Sequence, residues 1–336
     1  MSSVSHDSKS IKNDVSLREV WKARKRISAY IEKTPLLHSP LLSQKGAAIH
    51  LKMENLQPIG AFKIRGAANK ILSLSQEEKE RGVTTFSTGN HGMAVAYIAK
   101  QLGIRAIVCI SNRVPKVKVD KIREMGAEVK IIGENQDDAE SHCYFLENTE
   151  GITVIKPFDD PYVIAGQGTI GLELLEQFPD IDSVVVPLSG GGLLSGIGAV
   201  LKQTDPSIKV IGVSMERSAV MHESIKAERP VVIKEESTLA DSLLGGIGLE
   251  NEYTFQMVKR YMDEIVLLTE EEIADGMGFM FQNHRIGVEG AAATAVAAVL
   301  HDKIKSPVKQ TAAIISGSNV DPLSLHAVIN DYLNRN

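Results

Sequence analysis

Ser183-Val184-Val185-Val186-Pro187-Leu188-Ser189-Gly190-Gly191-Gly192-Leu193 joins a β-branched apolar run to three consecutive glycines, and a helical pattern follows directly. A strand, a glycine loop and a helix start in that order make a phosphate site. Glycines let backbone N–H groups approach an anion without Cβ interference, and the helix N-terminus adds the positive end of its dipole. A plain tight turn does not require three adjacent glycines, whose ordering costs chain entropy. The loop does not say which phosphate is held. Gly190, Gly192 and Gly196 imitate a dinucleotide fingerprint, and Glu216 stands at the end of the next strand pattern, where a ribose-binding acid would be. On this segment alone both phosphate readings stay open.

Outward from the loop, Val- and Ile-rich segments recur at 83–87, 106–110, 128–132, 183–188, 209–214 and 312–316. Helical spacing separates them at His91–Leu102, Pro115–Met125, Gln167–Phe178 and Leu193–Leu201. This alternation predicts an α/β chain with mainly parallel sheets covered by helices. Three strand and helix pairs between residues 82 and 158 predict a small domain. It would be inserted into a large domain made of 13–81 and 159–336, leaving a cleft between the lobes.

With 336 residues, 43% of them hydrophobic, the chain can fill a sizeable core. Lys and Arg number 37 against 42 Asp and Glu, a net charge of −5 without long runs of one sign, so there is no footprint for nucleic acid. Residues 1–12 are polar and Ser-rich, and are expected to form a flexible tail rather than a signal peptide. The longest apolar run, Ala291–Leu300, is too short to span a bilayer. A cytoplasmic protein with a small-molecule partner is expected. The two cysteines, Cys109 and Cys143, lack metal-ligand spacing and are expected to be buried thiols.

Three further stretches carry chemistry. Gly60-Ala61-Phe62-Lys63-Ile64-Arg65-Gly66-Ala67 sets a lysine at a helix start, predicted over Ile64–Leu74. The helix dipole disfavours positive charge there, and the flanking Phe62 and Ile64 are apolar, so the neutral amine that Schiff-base chemistry needs is favoured. A solvated surface position is the ordinary state of a lysine taken singly. Ser87-Thr88-Gly89-Asn90-His91-Gly92 also opens a helix, so its N–H groups could hold a carboxylate while Asn90 donates to a ligand oxygen. His91 at the first turn reads equally well as a structural hydrogen-bonding residue. Ser316-Gly317-Ser318-Asn319 closes the last strand pattern, where the Ser316 hydroxyl could meet a ring nitrogen or simply form a turn.

Together these motifs resemble the fold-type II pyridoxal-phosphate (PLP) enzymes, built like the tryptophan synthase β chain. The threonine and serine dehydratase (ammonia-lyase) group and its serine racemase relatives are the nearest match. The likeness runs from about Pro35 to Asp321, with GAFKIRGA, STGNHG, GQGTIGLELL, SGGGL and SGSN in the family's order. Five motifs in sequence displace the dinucleotide reading. The resemblance implies that Lys63 anchors PLP and acts as base, with Phe62 beside it. It also implies that Asn90 contacts the phenolic oxygen, that Gly190, Gly191, Gly192 and Leu193 cup the phosphate, and that Ser316 faces the ring nitrogen. Ser87, Thr88, Gly89 and His91 would line the substrate carboxylate pocket, with Ser87 and Thr88 as further catalytic candidates. The implied reaction removes water and then ammonia from L-threonine or L-serine, giving a 2-keto acid, in a homo-oligomer of two or four chains.

The departures are specific. Racemase-like members carry two serines where this chain has Ser87-Thr88, which counts against racemase activity. Where some relatives hold a divalent cation through two acids, this chain has Glu216 and His222, so no metal site is expected. CISNRVPKVKV and NQDDAES look closer to the hydroxyectoine-utilisation dehydratases, so Arg113, Lys116 or Lys118 could read a second polar group on a larger hydroxy-amino acid, hydroxyaspartate included. Regulated threonine dehydratases carry a C-terminal effector domain, and the sequence stops at about the end of the catalytic part, so feedback by isoleucine is not expected.

Overall fold

The computed structural model describes residues 13–43, 46–87, 89–114, 116–306 and 308–335. Among the described residues, ten strands form two sheets. In chain order they are β1 Leu36–His38, β2 Ala48–Lys52, β3 Val83–Thr85, β4 Ala106–Ile110, β5 Glu128–Ile131, β6 Thr153–Val154, β7 Ser183–Pro187, β8 Lys209–Met215, β9 Glu264–Leu268 and β10 Gln310–Ile314. The larger sheet has the order β1-β2-β10-β7-β8-β9 and the smaller β5-β4-β3-β6. Every pairing is parallel except β1 with β2. The four strands of the smaller sheet all come from residues 83–154.

The central strands read as unbroken apolar runs because helices cover both faces. All five residues of β4 and all five of β7 are buried. One large core, including Val185, Ile211 and Ile273, lies on one face of the six-stranded sheet, and a second, including Val184, Val186 and Leu194, on the other. Period two along β7 puts consecutive valines in opposite cores.

Helices Asn90–Leu102, Lys116–Glu124 and Gly192–Thr204 fall within a few residues of expectation. The helix expected over Gln167–Phe178 begins much earlier, at Pro161. Asp160 is its N-cap and accepts from the N–H groups of Tyr162 and Val163 at 2.8 and 3.0 Å. Asp-Pro reads as a turn, but proline at the first helical position gives up only an N–H that would be unpaired anyway. The sequence pattern did not indicate β1, β2, β6 or β9. β10 ends at Ile314, so Ser316 lies just beyond the strand rather than in it. Cys109 and Cys143 are both buried, with the Thr84 hydroxyl 3.3 Å from Cys143 Sγ. No helix among the described residues is long and apolar enough to cross a membrane.

Candidate active site

β7 and β10 are parallel neighbours, so the chain leaves both at the same sheet edge. One exit is Leu188-Ser189-Gly190-Gly191, which enters the helix Gly192–Thr204; the other is Ile315-Ser316-Gly317. An isolated antiparallel bridge pairs Ala61 with Gly317, and the Phe62 N–H donates to the Ser316 carbonyl at 3.0 Å. That contact delivers Lys63, the first residue of helix Lys63–Ser73, to the same edge. Across from it, β3 leads into the start of helix Asn90–Leu102.

These ends enclose a cavity of about 210 Å³. Phe62, Lys63, Ser87, Gly89, Asn90, His91, Gly190, Gly191, Gly192, Leu193 and Ser316 all line it. Every sequence-derived site residue except Thr88 is therefore brought together, and Thr88 lies outside the described residues. The sequence reading missed Glu289, Asp241, Ser242, Gln136 and Phe158, which also line it.

The glycine loop needs its composition. Gly191 has φ +86°, and a Cβ at Gly190 would come within 2.5 Å of the Phe158 ring. The N–H groups of the first helical turn have no intrahelical acceptor, and an anion in the cavity could take them.

Lys63 Nζ donates to the Pro157 carbonyl at 2.7 Å and lies 5.3 Å from the centre of the Phe62 ring. Desolvation brings its amine down to about 8, against the opposing pull of the Glu289 carboxylate. The neutral form expected from the sequence is thus accessible near neutral pH.

His91 is buried, and its Nε2 lies 2.9 Å from the Ile155 carbonyl. A carbonyl only accepts, so Nε2 carries the proton, and Nδ1 is left buried with a lone pair and no partner. Burial, then the nearby Lys63 charge, lowers the ring to about 3 despite the Ile155 carbonyl. A neutral ring with Nε2 already engaged cannot donate to a carboxylate. The donors this segment offers a carboxylate are its backbone N–H groups and the Ser87 hydroxyl, while the His91 ring lines the cavity with its one N–H already engaged.

Asn90 is buried, and its Nδ2 donates to both oxygens of Glu289 at 3.1 and 3.0 Å. Glu289 is itself 3% exposed and is the N-cap residue of helix Gly290–Leu300. The only local hint of this carboxylate was an acid standing directly before an Ala-rich helix.

A lysine amine, a glycine loop at a helix start and the Ser316 hydroxyl facing one cavity is the decisive arrangement, and most of the chain agrees with it: residues 27–317 match the family described as pyridoxal-phosphate dependent enzyme. The chain belongs to that family. PLP fits what lines the cavity, with the cradle suited to its phosphate and Lys63 to its aldehyde. Among relatives, the L-threonine ammonia-lyase of Thermotoga maritima is 41% identical over 317 residues, which is 94% of this chain and 78% of that protein. The catabolic L-threonine dehydratase TdcB of Staphylococcus aureus is 40% identical over 326 residues, 95% of this chain and 93% of that one. Maize serine racemase has a similar structure, with a TM-score of 0.88 and 32% identity over 96% of this chain and 98% of that one.

Among the described residues of this PLP-family chain, no group of three or more His, Cys, Asp or Glu is placed to hold a metal ion. His222 Nδ1 instead lies 3.2 Å from Glu223 Oε1. Arg113 is exposed, pairs with Glu134 at 3.3 Å and does not line the cavity. Lys116 is exposed, and the side chain of Lys118 lies outside what is described. Among the described residues of the divergent segments, Gln136 reaches the cavity wall.

Proposed function

We propose that this enzyme is an L-threonine dehydratase (ammonia-lyase) that also accepts L-serine. The observation that carries the proposal is Lys63 opening into one cavity with the glycine cradle, Ser316 and the start of helix Asn90–Leu102. The names of the 40–41% identical relatives supply the substrate class.

PLP supplies the electron sink that stabilises charge at the substrate Cα. Lys63 would anchor it, and once displaced by the substrate amine would take the Cα proton on Nζ. Gly190 to Leu193 would hold the phosphate through backbone N–H groups. Ser87, Gly89 and the first N–H groups of helix Asn90–Leu102 would hold the carboxylate. We read residues 82–158 as the lobe that closes over the substrate. The same proposal places the enzyme in the cytoplasm as a homo-oligomer of two or four chains, which sedimentation velocity tests. For the larger-substrate reading, Gln136 lines the cavity, whereas the exposed Arg113 pairs with Glu134.

Protein purified with PLP is expected to be yellow and to release ammonia and 2-ketobutyrate from L-threonine. A colourless protein that binds no PLP, or a yellow one with no turnover on threonine or serine, would overturn the assignment. Comparing kcat/KM for threonine, serine and hydroxyaspartate ranks them by transition-state discrimination.

Ser316 tests the orientation of the cofactor. A serine facing the ring nitrogen would leave it unprotonated and the sink weak, which would favour elimination. Ser316→Asp sets an anion there and should hold a proton on that nitrogen. Elimination is expected to fall about tenfold, equivalent to about 1.4 kcal/mol, with a larger share of transamination. An unchanged product ratio would mean that Ser316 does not face the ring.

A further inference from the structure

The hydrogen bonds around Asn90 run in one direction. Lys121, on helix Lys116–Glu124 beside the smaller sheet, donates from Nζ to Asn319 Oδ1 at 2.8 Å. Asn319, just beyond β10, donates from Nδ2 to Asn90 Oδ1 at 2.8 Å and to the Ile59 carbonyl at 2.8 Å. Asn90 Nδ2 then donates to the Glu289 carboxylate at 3.1 and 3.0 Å.

An ammonium can only donate, whereas a carbonyl and an ionised carboxylate can only accept. The Ile59 carbonyl at one end of the Asn319 amide and the Lys121 ammonium at the other together fix which end carries hydrogen. Asn319 therefore presents hydrogen to Asn90, which must answer with Oδ1 and turn Nδ2 inward. Neither amide has a second consistent orientation. Both Glu289 oxygens lie within reach of the one nitrogen, so a single forked hydrogen can serve them and leave the other for a group in the cavity. Cation, amide, amide and anion polarise one another in sequence, and each bond strengthens the next.

Lys121 does not line the cavity. On the PLP reading above, we infer that it is a positioning residue: through Asn319 it fixes the Asn90 amide as a hydrogen donor toward the cofactor. Its helix belongs with the smaller sheet, whereas Asn319 and Glu289 follow β10 and precede helix Gly290–Leu300 of the larger one. The bond thus ties the donor at the site to the seating of the smaller unit.

The test uses Lys121→Met, which keeps most of the stem and removes the donor, together with Lys121→Arg, Asn319→Ala and the Lys121→Met/Asn319→Ala pair. In apo-protein with labelled asparagine, Lys121→Met should shift the Asn90 side-chain amide resonances, whether or not PLP ever binds. In holoenzyme it should shift the visible absorption band and lower kcat about fivefold to tenfold, with KM within about twofold, because the Asn90 side-chain amide would meet the cofactor rather than the substrate. Lys121→Arg should restore most of both. On the Asn319→Ala background, Lys121→Met should add almost nothing, because the pair acts as one unit.

Unmoved Asn90 resonances in the apo-protein, or equal losses with and without Asn319, would overturn the inference. So would a loss that Lys121→Arg leaves in place and that follows a lower urea midpoint, since that is the mark of packing alone. If wild-type protein gives no visible band with PLP, the cofactor reading fails, and the apo-protein resonances still decide the role of Lys121.

Discussion

Lys63→Ala is expected to leave the fold intact and to lower ammonia release from L-threonine by at least about 10³-fold, the upper range for losing a positioned base. The loss is large because one amine would serve both as anchor and as proton acceptor. The structural cost is small. Lys63 is a helix-start residue whose Nζ donates to the Pro157 carbonyl at 2.7 Å, and that carbonyl belongs to the wall of an open cavity that water can enter. The stability change should stay near the worth of one ordinary hydrogen bond, about 1 kcal/mol. Borohydride treatment should attach the cofactor to the Lys63 peptide in wild type and to no peptide in the variant. The wild-type amine also sets a pH signature. With Lys63 lowered to about 8 from the usual 10.5, the neutral fraction grows about tenfold per pH unit below 8 and then levels off. Capture of PLP by apo-protein should follow that curve and flatten above pH 8, where an unperturbed lysine would keep gaining past pH 10. Undiminished ammonia release by Lys63→Ala would remove Lys63 from the chemistry altogether.

The site was legible wherever its chemistry was local. Gly190 to Gly192, Lys63 and Asn90 each sit at or just before the start of a helix, so a few adjacent residues carry both the turn and the function. Parallel strands then bring such starts to one edge, which is why the separate motifs meet in one cavity. Partners contributed from elsewhere in the chain were not legible. Glu289 reads as an ordinary acid before a helix, and only tertiary packing places it against Asn90, 199 residues away in sequence. Asn90 was expected to face a ligand alone; the fold also engages it with Glu289 and Asn319. His91 carried a real ambiguity, which the Ile155 carbonyl resolves by taking the Nε2 hydrogen. β6 has two residues and β1 three, too short for any period to show.

Least legible of all was the buried ionic cluster behind Lys63, and it carries the largest stability prediction. Arg65, two residues on from Lys63, is fully buried. It donates to Glu54 at 2.7 and 2.8 Å, to Glu173 at 2.6 and 3.0 Å and to Thr169 at 3.1 Å. Lys52 Nζ completes the cluster, bonding Glu173 at 2.5 Å and the Thr34 carbonyl at 2.7 Å. Two cations face two anions, so the burial is neutral overall while each member depends on the others. Arg65→Ala would leave Glu54 with the Thr34 hydroxyl and strand its charge without the fork that holds both its oxygens. Removing one partner of a buried pair costs about 3–5 kcal/mol, far more than the pair's net worth, because the remaining charge stays desolvated. Urea unfolding of Arg65→Ala should show a loss of that size, and adding Glu54→Gln should recover part of it by removing the stranded charge. The cluster also fastens β2 and helix Pro161–Gln177 to the helix that begins at Lys63, so PLP affinity should fall in Arg65→Ala although Arg65 does not line the cavity. A variant that unfolds at the wild-type urea concentration would show that Glu54 and Glu173 are not held as charges in the folded protein.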